Sequence, residues 1–262
     1  VYCMERARAA PEVGNGCFAG FWALVGRGVR SSAPHGTSFC FVSVGPVHRK
    51  GAPPMNEMMC TTDSADLAAL SPRERLILAA TRLFCAHGIA ATGVDAVLRE
   101  AGVAKMTLYK LFGSKDRLVE AVLDEEGQRW RGWFLPALTQ GPGTAREKLD
   151  RVFPLLKEWF EREDFYGCPF INAVGEHEKS DPRLRELAMQ HKSAVLDAIS
   201  ALAAEAGARE PASLAHQIGL LIDGAIVAAM VTRQPALADV AATACGAVVD
   251  AALPARRRAP KG

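Results

Sequence analysis

Three glycines, Gly88, Gly102 and Gly113, each close a short amphipathic segment, and this punctuation constrains the chain more than any other feature. Ser71-Pro-Arg-Glu opens the first segment: Ser71 suits an N-cap, Pro72 the first helical position, and Glu74 sits three residues after the cap. Leu76, Ala79, Ala80, Leu83 and Phe84 then fall on one face of a 3.6-residue period. Thr92 is expected to cap a second helix whose apolar stripe is Val94, Val97, Leu98 and Ala101. A third helix is expected over Lys105–Phe112, with Leu108, Leu111 and Phe112 turned inward. Gly113-Ser114 ends it and caps a fourth, which begins Lys115-Asp116-Arg117 and runs towards Trp133. No strand-like alternation occurs in 71–252, so the fold class is all-α.

Two short helices joined by a glycine-containing turn and packed on a longer one form a helix-turn-helix arrangement. With the apolar positions inward, Lys105, Met106, Thr107 and Lys110 face out, and Tyr109 lies at the flank. Cations, a hydroxyl and a phenol on one face can meet phosphates and major-groove base edges. Local charge agrees. Residues 71–117 carry eight Lys and Arg against four acids, within a chain whose net charge is only +2. A helical bundle with a solvated basic face would have the same charge, so the constellation carries the argument.

The segments Ala79-Ala-Thr-Arg-Leu-Phe-Cys-Ala-His-Gly, Thr92-Gly-Val-Asp-Ala-Val-Leu-Arg-Glu-Ala-Gly-Val and Thr107-Leu-Tyr-Lys-Leu-Phe-Gly-Ser-Lys-Asp-Arg-Leu resemble the DNA-binding domain of the TetR family of bacterial transcriptional regulators. The resemblance implies an all-helical homodimer with an N-terminal three-helix DNA-binding domain and a larger helical ligand-binding and dimerisation domain. By position it implies phosphate contact at Thr92 and Lys115, and contact from the recognition helix through Thr107, Tyr109 and Lys110. Lys115 beside a positive helix terminus is electrostatically misplaced unless a phosphate lies near it. Met106 departs from the small residue common there and could change which bases are read. His87 reads as structural.

The remainder reads as the regulatory half. A helix is expected over 145–162, bent at Pro154, then a turn into a helix ending near Ser180, and a long helix from Pro182 to about Ala206. The aromatics Trp130, Phe134, Phe153, Trp159, Phe160 and Phe170, with Met189, are expected to line a pocket for a flat or lipophilic molecule of unknown identity. Asn172, His177 or His191 would supply its polar contact. Pro211–Thr232 and Pro235–Leu253 are rich in small residues. In the resembled family these last helices pair with their copies, which implies an interface at Gly219, Gly224, Ala225, Ala228, Ala241, Ala242, Cys245 and Val249.

Other classes fare worse. Seven dispersed cysteines without a C-x-x-C pair suit a reducing cytoplasm better than a disulfide framework or a zinc site. The longest apolar run, Ile218–Val231, is interrupted by Asp223, so no membrane span is expected. Cys168 with His177 or His191 could be drawn as nucleophile and base, but nothing orients the histidine. His177-Glu178 and His191 have no compact metal spacing, and no Gly-rich nucleotide loop occurs, so neither catalysis, metal nor cofactor is expected. An architectural DNA coat would need basic charge throughout, and residues 118–262 are net acidic.

The expected organisation is a disordered extension over 1–67, a DNA-binding domain over 68–117, a regulatory domain over 118–254 and a basic tail over 255–262. Met55, Met58 and Met59 directly precede the organised part, so the extension could lie ahead of the natural start. The expected function is a homodimeric repressor on a near-palindromic operator in double-stranded DNA, released by a small molecule. The alternative keeps the DNA-binding domain without an inducer, under constitutive or partner control.

Overall fold

The computed structural model describes residues 69–176 and 182–254; the 1–67 extension, His177, Asp181 and the Arg256–Arg258 tail lie outside them. Ten helices and no strand occur among the described residues. Helix α1 (Pro72–His87) starts with the expected capping box: Glu74 N–H donates to Ser71 Oγ at 3.3 Å and Ser71 N–H to the Glu74 carboxylate at 2.8 Å. α2 spans Val94–Ala101 and α3 Lys105–Phe112. Gly88, Gly102 and Gly113 end these helices with φ of +85°, +61° and +79°, a region that a side chain disfavours. Leu76, Phe84, Val97, Leu98 and Leu108 close the core of the three. Leu111, expected inward, is 44% exposed, because Leu108 and Phe112 already occupy the face packed on α1.

Helix α4 (Lys115–Thr139) is capped by Ser114, whose Oγ accepts from Arg117 N–H at 3.1 Å. It continues past the expected end at Trp133 and carries Pro136 inside its last turns. Its first half buries Leu118, Val119 and Val122 against α1, and its second half buries Trp133, Phe134 and Leu138 in the regulatory core.

The expected 145–162 helix is two. α5 (Ala145–Asp150) and α6 (Val152–Phe160) break at Arg151. Pro154 has no N–H for the Asp150 carbonyl and its ring would collide with it, so the break falls between them. α7 (Pro169–Glu176), α8 (Pro182–Glu205), α9 (Pro211–Thr232) and α10 (Leu237–Ala252) complete the half. By length and composition α9 could cross a membrane, at mean hydropathy 1.7, which the apolar run alone did not suggest. Here one face of it packs on α8 and α10, and Asp223 pairs with Lys192 of α8.

The helical faces also differ from expectation. Ala225, Cys245 and Val249 are buried within the protomer, where small side chains let α9 and α10 approach their neighbours. A Cβ on Gly219 would stand 2.7 Å from Leu196, so that position also serves internal packing. Ala228, Ala241 and Ala242 are half-buried. Leu220, Gly224, Val227 and Val231 of α9, with Val240, Ala244 and Ala247 of α10, form the exposed apolar stripes instead.

Candidate nucleic-acid interface and ligand cavity

Helix α3 presents Lys105, Met106, Tyr109 and Lys110 to solvent, with Met106 79% exposed, and Thr107 is half-buried. Leu108 beneath them is fully buried and fixes which face is outward. No side chain caps α2 or α3 at Gly93 or Ala104, which leaves their first N–H groups open to an acceptor such as phosphate. Lys105 lies 3.5 Å from Asp95 in an exposed pair, a weak hold that an approaching phosphate can replace.

Two expected phosphate ligands have structural duties. Thr92 is 4% exposed and does not cap α2; Gly93 holds that place. Its hydroxyl lies 2.6 Å from the Gly88 carbonyl and 3.3 Å from that of Leu83, tying down the end of α1. A threonine before a short helix reads as a cap from sequence, but the left-over carbonyls of the preceding helix compete for the same proton. Lys115 Nζ donates to the Ile89 carbonyl at 2.6 Å, clamping the α1–α2 loop and leaving two protons for other acceptors.

A cavity of about 310 Å³ opens in the regulatory half. Of the expected residues, Trp130, Trp159, Phe170 and His191 line it. Phe134, Phe153 and Phe160 do not: they are buried behind it, with Phe134 stacked on Trp130 at 4.5 Å between centroids. Met189 is 62% exposed on α8, one helical face away from His191. Asn172 faces a small neighbouring recess between α7 and α1, and its amide donates to the Tyr166 carbonyl at 3.1 Å.

Cys85, Glu126, Lys192 and Asp223 also line the cavity and were not expected there. Asp223 did carry a signal, since a lone acid within an apolar helix needs a partner on the helix it packs against. Glu126 is buried, and Arg129 donates to it at 2.7 Å; burial still pushes its carboxyl above the usual range. Burial and the neighbouring Arg131 and Lys192 lower His191 from 6.5 to about 3, so the ring is neutral near pH 7. Its Nδ1 lies 2.9 Å from Arg131 Nη1 and must accept, which places the ring proton on Nε2. Burial raises the Cys168 thiol. A protonated thiol and a histidine already engaged by Arg131 make a poor nucleophile–base pair. No cluster of three metal-ligating side chains occurs among the described residues.

A contact at α7 joins the two halves. The Glu176 carboxylate, at the C-terminal end of α7, accepts from Ala90 N–H at 2.9 Å in the α1–α2 loop. Pro169 and Phe170, at the other end of α7, line the cavity.

Comparison with known proteins settles the family. The family of bacterial regulatory proteins, tetR family, matches residues 76–122. A TetR-type transcriptional regulator of Streptomyces avermitilis has a similar solved structure, with 32% identity, TM-score 0.63, and coverage of 70% of this chain and 98% of that one. The chain belongs to the TetR family. A TetR-family regulator of Streptomyces coelicolor is similar at 28% identity and TM-score 0.64, covering 70% of this chain and 96% of the other. The HTH-type transcriptional regulator YjdC of Escherichia coli is 26% identical over 169 residues, 64% of this chain and 88% of its own length. This TetR-family chain is therefore a transcriptional regulator whose helix-turn-helix domain binds DNA, built on an all-helical fold.

Proposed function

We propose that this TetR-family protein is a homodimeric repressor whose hold on its operator is released by a small molecule in the regulatory cavity. The observation that carries the reading is α7: Phe170 at one end walls the cavity, and Glu176 at the other end grips the backbone of the DNA-binding domain. A molecule entering beside Phe170 pushes on the helix that holds the α1–α2 loop. Helix α4 supplies a second rigid route, since Lys115 holds that loop and Trp130 lines the cavity.

Lys105, Thr107, Tyr109 and Lys110 contact DNA in this reading, with Met106 against a base edge and Lys115 reaching phosphate with its remaining protons. Thr92 acts through the α1–α2 loop. The Leu220–Gly224–Val227–Val231 stripe and its α10 neighbours meet their copies across a two-fold axis, which removes an exposed apolar face from water. Two recognition helices then enter successive major grooves about 34–36 Å apart, and a change in that separation loses one half-site.

The test is operator binding by gel shift in the presence of a broad small-molecule panel. Release by at least one compound that also quenches Trp130 or Trp159 fluorescence supports the reading. Operator binding unmoved by every compound, together with a solved cavity filled by side chains, overturns it.

A further inference from the structure

We propose that the regulatory cavity takes a planar aromatic monoanion, an aryl carboxylate in its simplest form, with the anionic group set against His191 and Trp130. This rests on the cavity being the ligand site.

The charges around the cavity point there. Three acids line it, and each already has a cation: Glu126 has Arg129 at 2.7 Å, Asp164 has Arg162 at 2.8 Å, and Asp223 has Lys192. Arg131 is the cation left over, and it does not line the cavity itself but stands behind His191. It is half-buried, forms no ion pair among the described residues, and donates to the neutral ring of His191. With no acid paired to it among the described residues, Arg131 would gain a counter-charge, through the His191 ring, from an anion in the cavity.

The donors are in place. Because Nδ1 of His191 accepts from Arg131, its Nε2–H is a donor, polarised by the guanidinium behind it. The ring is held by stacking on Phe170, 4.3 Å between centroids and 19° between planes. Trp130 Nε1–H is buried without an acceptor, and its ring centroid lies 5.5 Å from that of His191. A buried N–H lacking a partner calls for one, and a small turn of the indole would bring it to an acceptor in the cavity that Trp130 lines. A carboxylate, with two acceptor oxygens, can serve both.

Bare backbone makes the cluster possible. A Cβ on Gly127 would come within 2.8 Å of Phe170 Cζ, 2.9 Å of Arg131 Nη1 and 3.3 Å of His191 Nδ1. Trp130, Trp159 and Phe170 give the rest of the site flat aromatic walls. A lipophilic cation would have to displace Arg129, Arg162 or Lys192 from its carboxylate, and a neutral ligand would leave Arg131 as it is.

Calorimetric titration of the dimer with 2-naphthoate, 2-naphthamide and 2-naphthylmethylammonium tests the assignment. The carboxylate is expected to bind at least about tenfold tighter than either isostere. Arg131→Gln should shrink that preference to within about threefold, Arg131→Lys should keep most of it, and Trp130→Phe should weaken the carboxylate most. Thermal melting checks that each variant folds, and if Arg131→Gln does not, the three-probe comparison on the unaltered protein decides. Equal or tighter binding of the amide or the ammonium ion overturns the proposal, as does binding of none of the three at millimolar concentration. Failure here with operator release by another compound leaves the ligand-switch reading standing. Tight binding of the carboxylate with the operator unmoved by every compound supports the anion site and removes the switch.

Discussion

Met106 stands 79% exposed on α3, whereas His191 is buried on α8 against Phe170. The difference runs through the whole molecule. The three-helix unit packs solid and keeps its working side chains outside; the regulatory half keeps its working side chains inside, around an open space. Outside residues can change affinity without changing stability. Inside residues hold the fold and line the cavity at once, so a substitution there changes both.

The largest break in that comparison should come from two positions on α9. Ala225→Arg places a cation at a buried site and is expected to lose on the order of 4 kcal/mol of stability, read by urea unfolding. Leu220→Glu, on the 74% exposed stripe at the rim of the cavity, should sediment as a monomer and lose only the stability that dimerisation adds, well short of the loss in Ala225→Arg. A stable Ala225→Arg dimer or an intact Leu220→Glu dimer would reverse the assignment of faces.

His191 sharpens the inside case through pH. Its folded value of about 3 lies below the unfolded 6.5, so the unfolded chain takes up the proton first as pH falls. The stability it contributes is full above 6.5 and is lost as pH drops from there towards 3, on the order of a few kcal/mol across the window. His191→Gln, which can still accept from Arg131 but does not titrate, should flatten this part of the pH–stability curve. Glu126, with its carboxyl raised by burial, acts in the opposite sense, so the variant is compared with the unaltered protein at each pH.

Lys110 gives the outside case. Lys110→Ala should weaken operator binding by roughly 1–3 kcal/mol with no change in melting temperature. Lys105→Ala should reduce the salt dependence of binding by about one unit across all DNA sequences. Thr92 sits between the classes and should show the smallest effect. Thr92→Ala is expected to cost about 1 kcal/mol in unfolding, through loss of the one hydroxyl proton that the Gly88 and Leu83 carbonyls share, with operator affinity changing only through the loop.

The same division explains what the sequence disclosed. In the DNA-binding unit each decisive signal is local: Ser71 with Glu74, the three glycine stops, and Leu108 one residue before Tyr109. Such signals act within a turn or two of helix and can be read from spacing. Thr92 defeated that reading because its partner carbonyls belong to the preceding helix. The cavity depends on contacts far apart in the chain, such as Arg131 with His191 and Lys192 with Asp223. Aromatic residue type separates neither Trp130 from Phe134 nor Phe170 from Phe160, since each is apolar and each is mostly buried. Which of them borders empty space is set by how α4, α7, α8 and α9 cross. The small residues of α9 and α10 are ambiguous for a related reason, because close approach within a protomer and between protomers asks for the same side chains.

Helix α7 touches both the cavity and the DNA-binding domain, and the Ala90 amide reports on that link directly. Its N–H donates to Glu176 across the two halves, so its hydrogen-exchange rate measures whether that contact is closed. The exchange rate is compared in the free protein, in the operator complex and with a cavity compound that releases the operator. Exchange is expected to be slowed by the operator and accelerated by the compound, with Glu176→Ala abolishing both responses. An Ala90 amide that exchanges at the same rate in all three states would contradict it.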